Sequence, residues 1–341
     1  MLAGCALFPP DNAWNQRVDA LPRASGSAAI VRTMAISHLH PDFGTAYGIP
    51  YNVVTSAVPG RSVRFDYADE SDPGPYPIPA QPAQEQGSDG HILVVNSDTC
   101  RLYELFDARI ASGGGWAAGS GATWDLSSNA VRPAGWTSAD AAGLPILPGL
   151  ARYDEAAAGQ INHALRFTLS RTQAAYLFPA RHRASSVRDP AVAPMGLRVR
   201  LKAGYSIASF PPQARVVLLA LKRYGMIVAD NGSSGYITGA PSPSWNDDAL
   251  HTLHLVPGSA LEVVDTTTLT GTPRARLWNA SVRVSRGRAV GRAFLSADAR
   301  VALEAVRGGR VVRRVLVRCR LGLVSVSLRA LAGARYRLVV R

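Results

Sequence analysis

A mainly β fold is predicted by two patterns. Short runs of alternating or continuously apolar residues recur between turns rich in Gly, Pro, Asn and Asp. Only one stretch, 212–224, has the apolar spacing and end signals of a clear helix. A third observation splits the chain. After Asp265 the sequence turns Arg-rich, with about six short alternating runs and no helix pattern. The expected architecture is a β-rich main domain over 8–265, sandwich or jelly-roll-like, with a few short helices. A linker over 266–273 leads to a small C-terminal β-sandwich of immunoglobulin or fibronectin type over 274–341. At 341 residues, the chain exceeds what one compact core usually holds.

Each element has a local cause. The first thirty residues read as an arm, and 28–36 as a short helix. Residues 51–55 and 62–67 read as strands split by Pro59-Gly60. The segment 69–86 carries prolines at 73, 75, 77, 79 and 82, which forbid helix and central strand there. A connection of that length and type is expected to form a rim or lid. Residues 91–96 and 101–106 form an expected hairpin around Ser97-Asp98. Thr137 with Asp140 three residues on predicts a short capped helix, ended by Pro145. Strands are expected over 162–169, 175–178, 197–202 and 226–229. In the helix 212–224, Pro212 suits the first turn and Gly225 the stop, with Val216, Leu219, Ala220 and Arg223 on one face. In the tail, Val324, Val326 and Leu328 alternate with Ser325, Ser327 and Arg329, and Gly308-Gly309 marks a hairpin.

The formal net charge of +13 is concentrated in the tail. Residues 270–341 hold seventeen Arg, no Lys, and only Asp298 and Glu304 as acids. Such a module suits an anionic polymer at the cell wall, a nucleic acid or a lipid head-group surface. The competing reading is compositional, because the whole chain has only Lys202 and Lys222 as lysines. No zinc-finger, RRM or KH pattern supports specific nucleic-acid reading. No apolar run reaches the length of a transmembrane segment.

Leu2-Ala3-Gly4-Cys5 matches the lipobox of bacterial lipoproteins. That match would make 1–7 the remnant of a lipoprotein signal and place a lipid anchor on Cys5. The other reading is a small buried Cys in an N-terminal arm. Three cysteines are too few for a disulfide scaffold, and a Cys100–Cys319 bridge between the two parts is not favoured.

Several long phrases together carry a family resemblance. They include FPPDNAWN (8–15), LHPDFG (39–44), YADESDPGPYPIP (67–79), CRLYELFDA (100–108), GWTSADAAGLPILPGLARYDE (135–155), PMGLRVRLKA (194–203), YGMIVADNG (224–232) and WNDDALH (245–251). They resemble a widespread group of uncharacterised exported bacterial proteins over about 8–265. The resemblance implies one domain of characteristic length with an appended tail, an extracellular or cell-surface location, and no particular chemistry.

The residues themselves suggest three site chemistries. Paired carboxylates come first. Glu104 alternates with apolar neighbours, a setting that raises a carboxyl pKa for general-acid work, and is expected to face a groove. Asp230 ends an apolar strand and Asp125 follows Trp124; either could be the partner acid of a glycoside hydrolase. Tyr103, Trp124 and Trp136 would hold sugar, and Trp14, Trp116 and Trp245 also lie beside polar turns. A second set, His163, Arg166, His182 and Tyr103, would suit a polysaccharide lyase that removes a proton beside a uronate. Third, His38-Leu39-His40-Pro41-Asp42 has an H-x-H-x-D spacing, a weak metal candidate needing help from His91, His163, His182, His251 or His254. No nucleotide or esterase motif is present, and no cofactor is expected. The leading expectation is therefore a secreted glycoside hydrolase acting on a polysaccharide or wall glycan. A non-enzymatic glycan-binding protein is the alternative and a lyase the third reading.

Overall fold

A computed structural model describes residues 1–341. It is mainly β, with 34% strand and 12% helix. The central six-stranded sheet runs in the order His40–Asp42, Tyr236–Thr238, Leu165–Leu169, Met226–Asn231, Arg198–Leu201 and Leu261–Val263. Leu165, Phe167 and Leu169 are fully buried, as are Met226, Ile227, Val228 and Ala229. These are the near-continuous apolar strands expected when both sheet faces are covered. The two strands pair in parallel, with a register shift between Val228 and Asp230, after which Asp230 pairs with Thr168 near the strand's end.

Helix Pro212–Arg223 covers this sheet. Its buried face is Ala214, Val217, Leu218, Ala220 and Leu221; of the face expected from spacing, Ala220 is buried, while Val216, Leu219 and Arg223 lie at its margin. Gly225 follows at φ +69°, and a Cβ there would meet the Val199 carbonyl at 2.4 Å, so only glycine fits this stop.

A second sheet pairs Tyr51–Val54, Ile92–Asn96, Arg101–Phe106 and Ser120–Asp125. The hairpin around Ser97-Asp98 is present in the expected register, Asn96 opposite Arg101. Pairing is parallel for Tyr51–Val54 with Ile92–Asn96, for Val63–Phe65 with Trp116–Ala118, and for His40–Asp42 with Tyr236–Thr238. The main domain is thus a mixed β arrangement beyond the antiparallel pattern of a jelly roll. Two expected elements are absent. Residues 137–140 form a turn closed by the Ser138 hydroxyl, and 175–178 contributes only an isolated bridge from Tyr176 to Met195.

The tail forms two three-stranded antiparallel sheets around its own core of Ala293, Leu295, Val301, Leu303, Val324 and Val326. It is fastened to the main domain. Ser25 N–H donates to Leu321 at 2.8 Å, and Leu323 N–H donates to Ser25 at 3.0 Å. Gly322, at φ +118°, permits this approach, because a Cβ would lie 2.1 Å from the Ser25 oxygen. Phe294 and Leu321 join the main hydrophobic core.

Cys5 and Cys100 form a disulfide, with Cα atoms 5.5 Å apart. This corrects the expected lipid anchor: a sulfur committed to Cys100 is not available to carry a thioether. Residues 1–7 accordingly belong to the fold, with Cys5 and Leu2 buried. Cys319 is the free thiol. No helix is long and apolar enough to cross a membrane.

Candidate active site

The segment 135–145 is folded into a tight platform between the two main sheets. Ala142 N–H donates to Ala229 at 3.0 Å, and Arg181 and His182 N–H groups donate to Ala142. Ser138 Oγ lies 2.6 Å from the Leu144 carbonyl, and Ser120 Oγ donates to Ser138 at 2.6 Å. The platform delivers Asp140 into the interior, where Arg166 from the central sheet meets it. Arg166 Nε and Nη2 lie 3.2 and 3.1 Å from the two Asp140 oxygens, and Nη1 donates to Thr238 Oγ1 at 2.7 Å. Asp140 has no exposed surface.

Asp230 competes for the same guanidinium and comes second, at 3.6 Å from Nη2. Its side chain is 23% exposed. Burial first, then repulsion from Asp140, push its pKa up to about 7 against the attraction of Arg166. A carboxyl in that state is protonated in about half of the molecules at neutral pH and can give its proton away.

Asp230 lines a cleft of about 410 Å³ together with Glu70, Tyr67, Phe106, Ser138 and His182. Glu70 Oε2 accepts the Thr137 N–H at 2.8 Å, which orients its carboxylate. Tyr67 is 57% exposed on the rim. His182 Nδ1 must donate to the Ala141 carbonyl, 2.8 Å away, and Nε2 makes no hydrogen bond within the protein. On the other side of the platform, His91 donates through Nε2 to Ala139 at 3.0 Å and through Nδ1 to Glu85. Burial opposes its charge, but Glu85 prevails and the His91 pKa is raised. Glu85 and Asp42 line a separate cleft of about 330 Å³.

Of the residues singled out in the sequence, the structure brings Asp230, Arg166 and His182 together. The others lie elsewhere. Glu104 is 0% exposed and faces no groove. Its oxygens accept the Ile146 and Leu147 N–H groups at 2.9 Å, capping the turn Leu147–Gly149 from below. It cannot touch a sugar, because its apolar neighbours form part of the core instead of a cleft wall. Asp125 is exposed and bonds Ser127 N at 2.9 Å and Ser127 Oγ at 2.6 Å, an ordinary turn. Both His163 nitrogens are engaged, with Glu155 at 2.9 Å and the Ala164 carbonyl at 2.8 Å. Tyr103 packs edge-on against Tyr76, ring centres 5.9 Å apart. Trp124 is buried beneath the Arg132 guanidinium, which also stacks on half-buried Trp136, so neither lines the Asp230 cleft. Trp14 and Trp245 are core residues. His38, His40 and Asp42 lie on or beside the edge strand His40–Asp42, away from the Asp230 cleft.

Glu70 and Tyr67 were not singled out. Their signal is indirect: Glu70 lies in the proline-rich connection 69–86, expected as a rim, and Tyr67 ends the expected strand 62–67 just before it. No family model, curated protein or solved structure matches the chain. The chemistry of the site therefore follows from its geometry.

Proposed function

We propose that the chain hydrolyses a glycan in the Asp230 cleft, with Asp230 as general acid and Glu70 as the second carboxylate. The observation that carries this reading is a partly exposed carboxyl with a pKa near 7 in a cleft that also holds a hydrogen-bonded carboxylate. Glycoside hydrolysis requires that division of labour: one acid protonated for the leaving oxygen, one ionised for the sugar or its attacking water. Tyr67 and Phe106 supply ring faces on which a pyranose can stack. The cleft's volume matches that of small-ligand sites. An exported location fits the Cys5–Cys100 disulfide, since such bonds persist in oxidising compartments.

The test is release of reducing sugar from a panel of plant and bacterial polysaccharides. Asp230→Asn should lower turnover by about 10²–10⁴-fold while leaving glycan binding in place. Glu70→Gln should do the same. Unchanged turnover in either variant removes that residue from the mechanism. Products with new ultraviolet absorbance would instead indicate a lyase, with His182 Nε2 as the base.

The tail favours a second reading, attachment to an anionic wall polymer. Glu304 is tied to Arg314, Arg337 and Arg341, leaving the exposed Arg310, Arg313 and Arg318 without ion pairs on the strand Arg310–Cys319. Replacing these three by Ser should lower retention on teichoic-acid-type polymers and flatten its salt dependence. Equal retention refutes this reading.

A further inference from the structure

Four histidines gather at one edge of the central sheet. His38 and His40 are two residues apart along an extended segment, so their side chains share a face. His251 and His254 are three apart across the end of helix Asp247–His251 and the following turn Thr252–Leu255, so they too share a side. The two faces meet at His254. Its ring centre lies 4.8 Å from that of His38, 4.7 Å from His40 and 4.2 Å from His251. His40 is fixed from behind by Tyr236, stacked at 4.0 Å.

Two nitrogens in the group, His40 Nδ1 and His254 Nε2, are buried without any hydrogen-bond partner. Buried polar atoms are rarely left so. We propose that His40, His254 and His251, with His38 as the outermost member, bind one divalent transition ion of the zinc class. Neutral imidazole is a preferred ligand for such ions.

As the rings stand, they do not form a ready ligand set. The spacing is nevertheless close to what a shared ion requires: with metal–nitrogen bonds of ~2.0 Å, two imidazoles on a tetrahedral ion have ring centres roughly 5 Å apart. His38 and His251 are exposed, so rotation about their side-chain bonds can turn their nitrogens inward. The site is independent of the Asp230 cleft, so it stands or falls apart from the glycan reading.

Zinc titration of the full chain by calorimetry, with cobalt absorption as a geometric readout, tests the site. One equivalent of zinc should bind, and cobalt should give the intense visible bands of tetrahedral nitrogen ligation. His254→Ala should weaken binding by at least the roughly 10–100-fold that loss of a mere supporting group costs. His251→Ala, at an exposed position, repeats the test should His254→Ala not fold. Cys319→Ser should bind as the parent does. Absence of saturable zinc binding, unchanged affinity in His251→Ala, or loss of binding in Cys319→Ser each overturns the proposal.

Discussion

Glu104→Gln should change how stability depends on pH more than it changes stability at any one pH. The Glu104 carboxyl is fully buried, and burial raises its pKa from 4.5 to about 7, although the Leu147 and Ile146 amides favour its charged form. A group whose folded pKa lies above its unfolded value adds stability below the unfolded pKa. That stability is lost as pH rises through the folded pKa. The window is therefore pH 4.5 to about 7. At 1.36 kcal/mol per unit, the loss across it is about 3 kcal/mol. Glutamine cannot ionise, so it removes this slope. It also sets an amide donor near the Ile146 N–H, a mismatch of about 1–3 kcal/mol. The variant should be clearly weaker than the parent at pH 5 and equal or stronger at pH 8. Urea unfolding of both proteins at both pH values measures the gap, and other titrating groups cancel in the comparison. A gap of the same size at pH 5 and pH 8 refutes the reasoning.

Asp140→Asn removes the carboxylate that repels Asp230 and frees Arg166 to pair with it. The alkaline limb of kcat/KM, expected near pH 7, should therefore move to lower pH; an unmoved limb means Asp230 does not set it. Replacing Cys5 and Cys100 by Ser opens a loop of 95 residues, and the midpoint of urea unfolding should fall in line with a loss of about 2–5 kcal/mol. Glu304, against the cost of its burial, is held at a pKa of about 2 by Arg341, Arg337 and Arg314. The stability it lends the tail is present above pH 4.5 and lost as pH falls through about 2, so Glu304→Gln should lower the melting temperature at pH 7 and clearly less at pH 2.5.

What could be read from sequence was local. The helix at 212–223 is marked in sequence by Pro212 and Gly225, yet of its expected face only Ala220 is buried. Residues 216, 219 and 223 and residues 214, 217, 218 and 221 flank buried Ala220 on its two sides, both at helical spacing, and only the sheet beneath chooses between them. The hairpin at Ser97-Asp98 was legible because its pairing is short-range. The parallel pairs were not, since each joins segments brought together by long crossovers. The site divides in the same way. Asp230 was visible as an acid ending an apolar strand. Glu104 has the same apolar context but supports a turn, because pattern reveals burial without revealing whether a cleft lies beyond. Glu70 approaches Thr137 from 67 residues away, and no local pattern encodes that distance.

The pairing of Ser25 with the backbone on either side of Gly322 has a bearing on biogenesis. The N-terminal arm finds its permanent partner only when the chain some 300 residues downstream has emerged, roughly 15–60 s later at ordinary elongation speed. Until then the surface that receives Leu321 and Phe294 is bare. The Arg-rich tail is therefore a poor cassette for transplanting onto another scaffold, and an interrupted translation product would carry a greasy scar where the clasp should close.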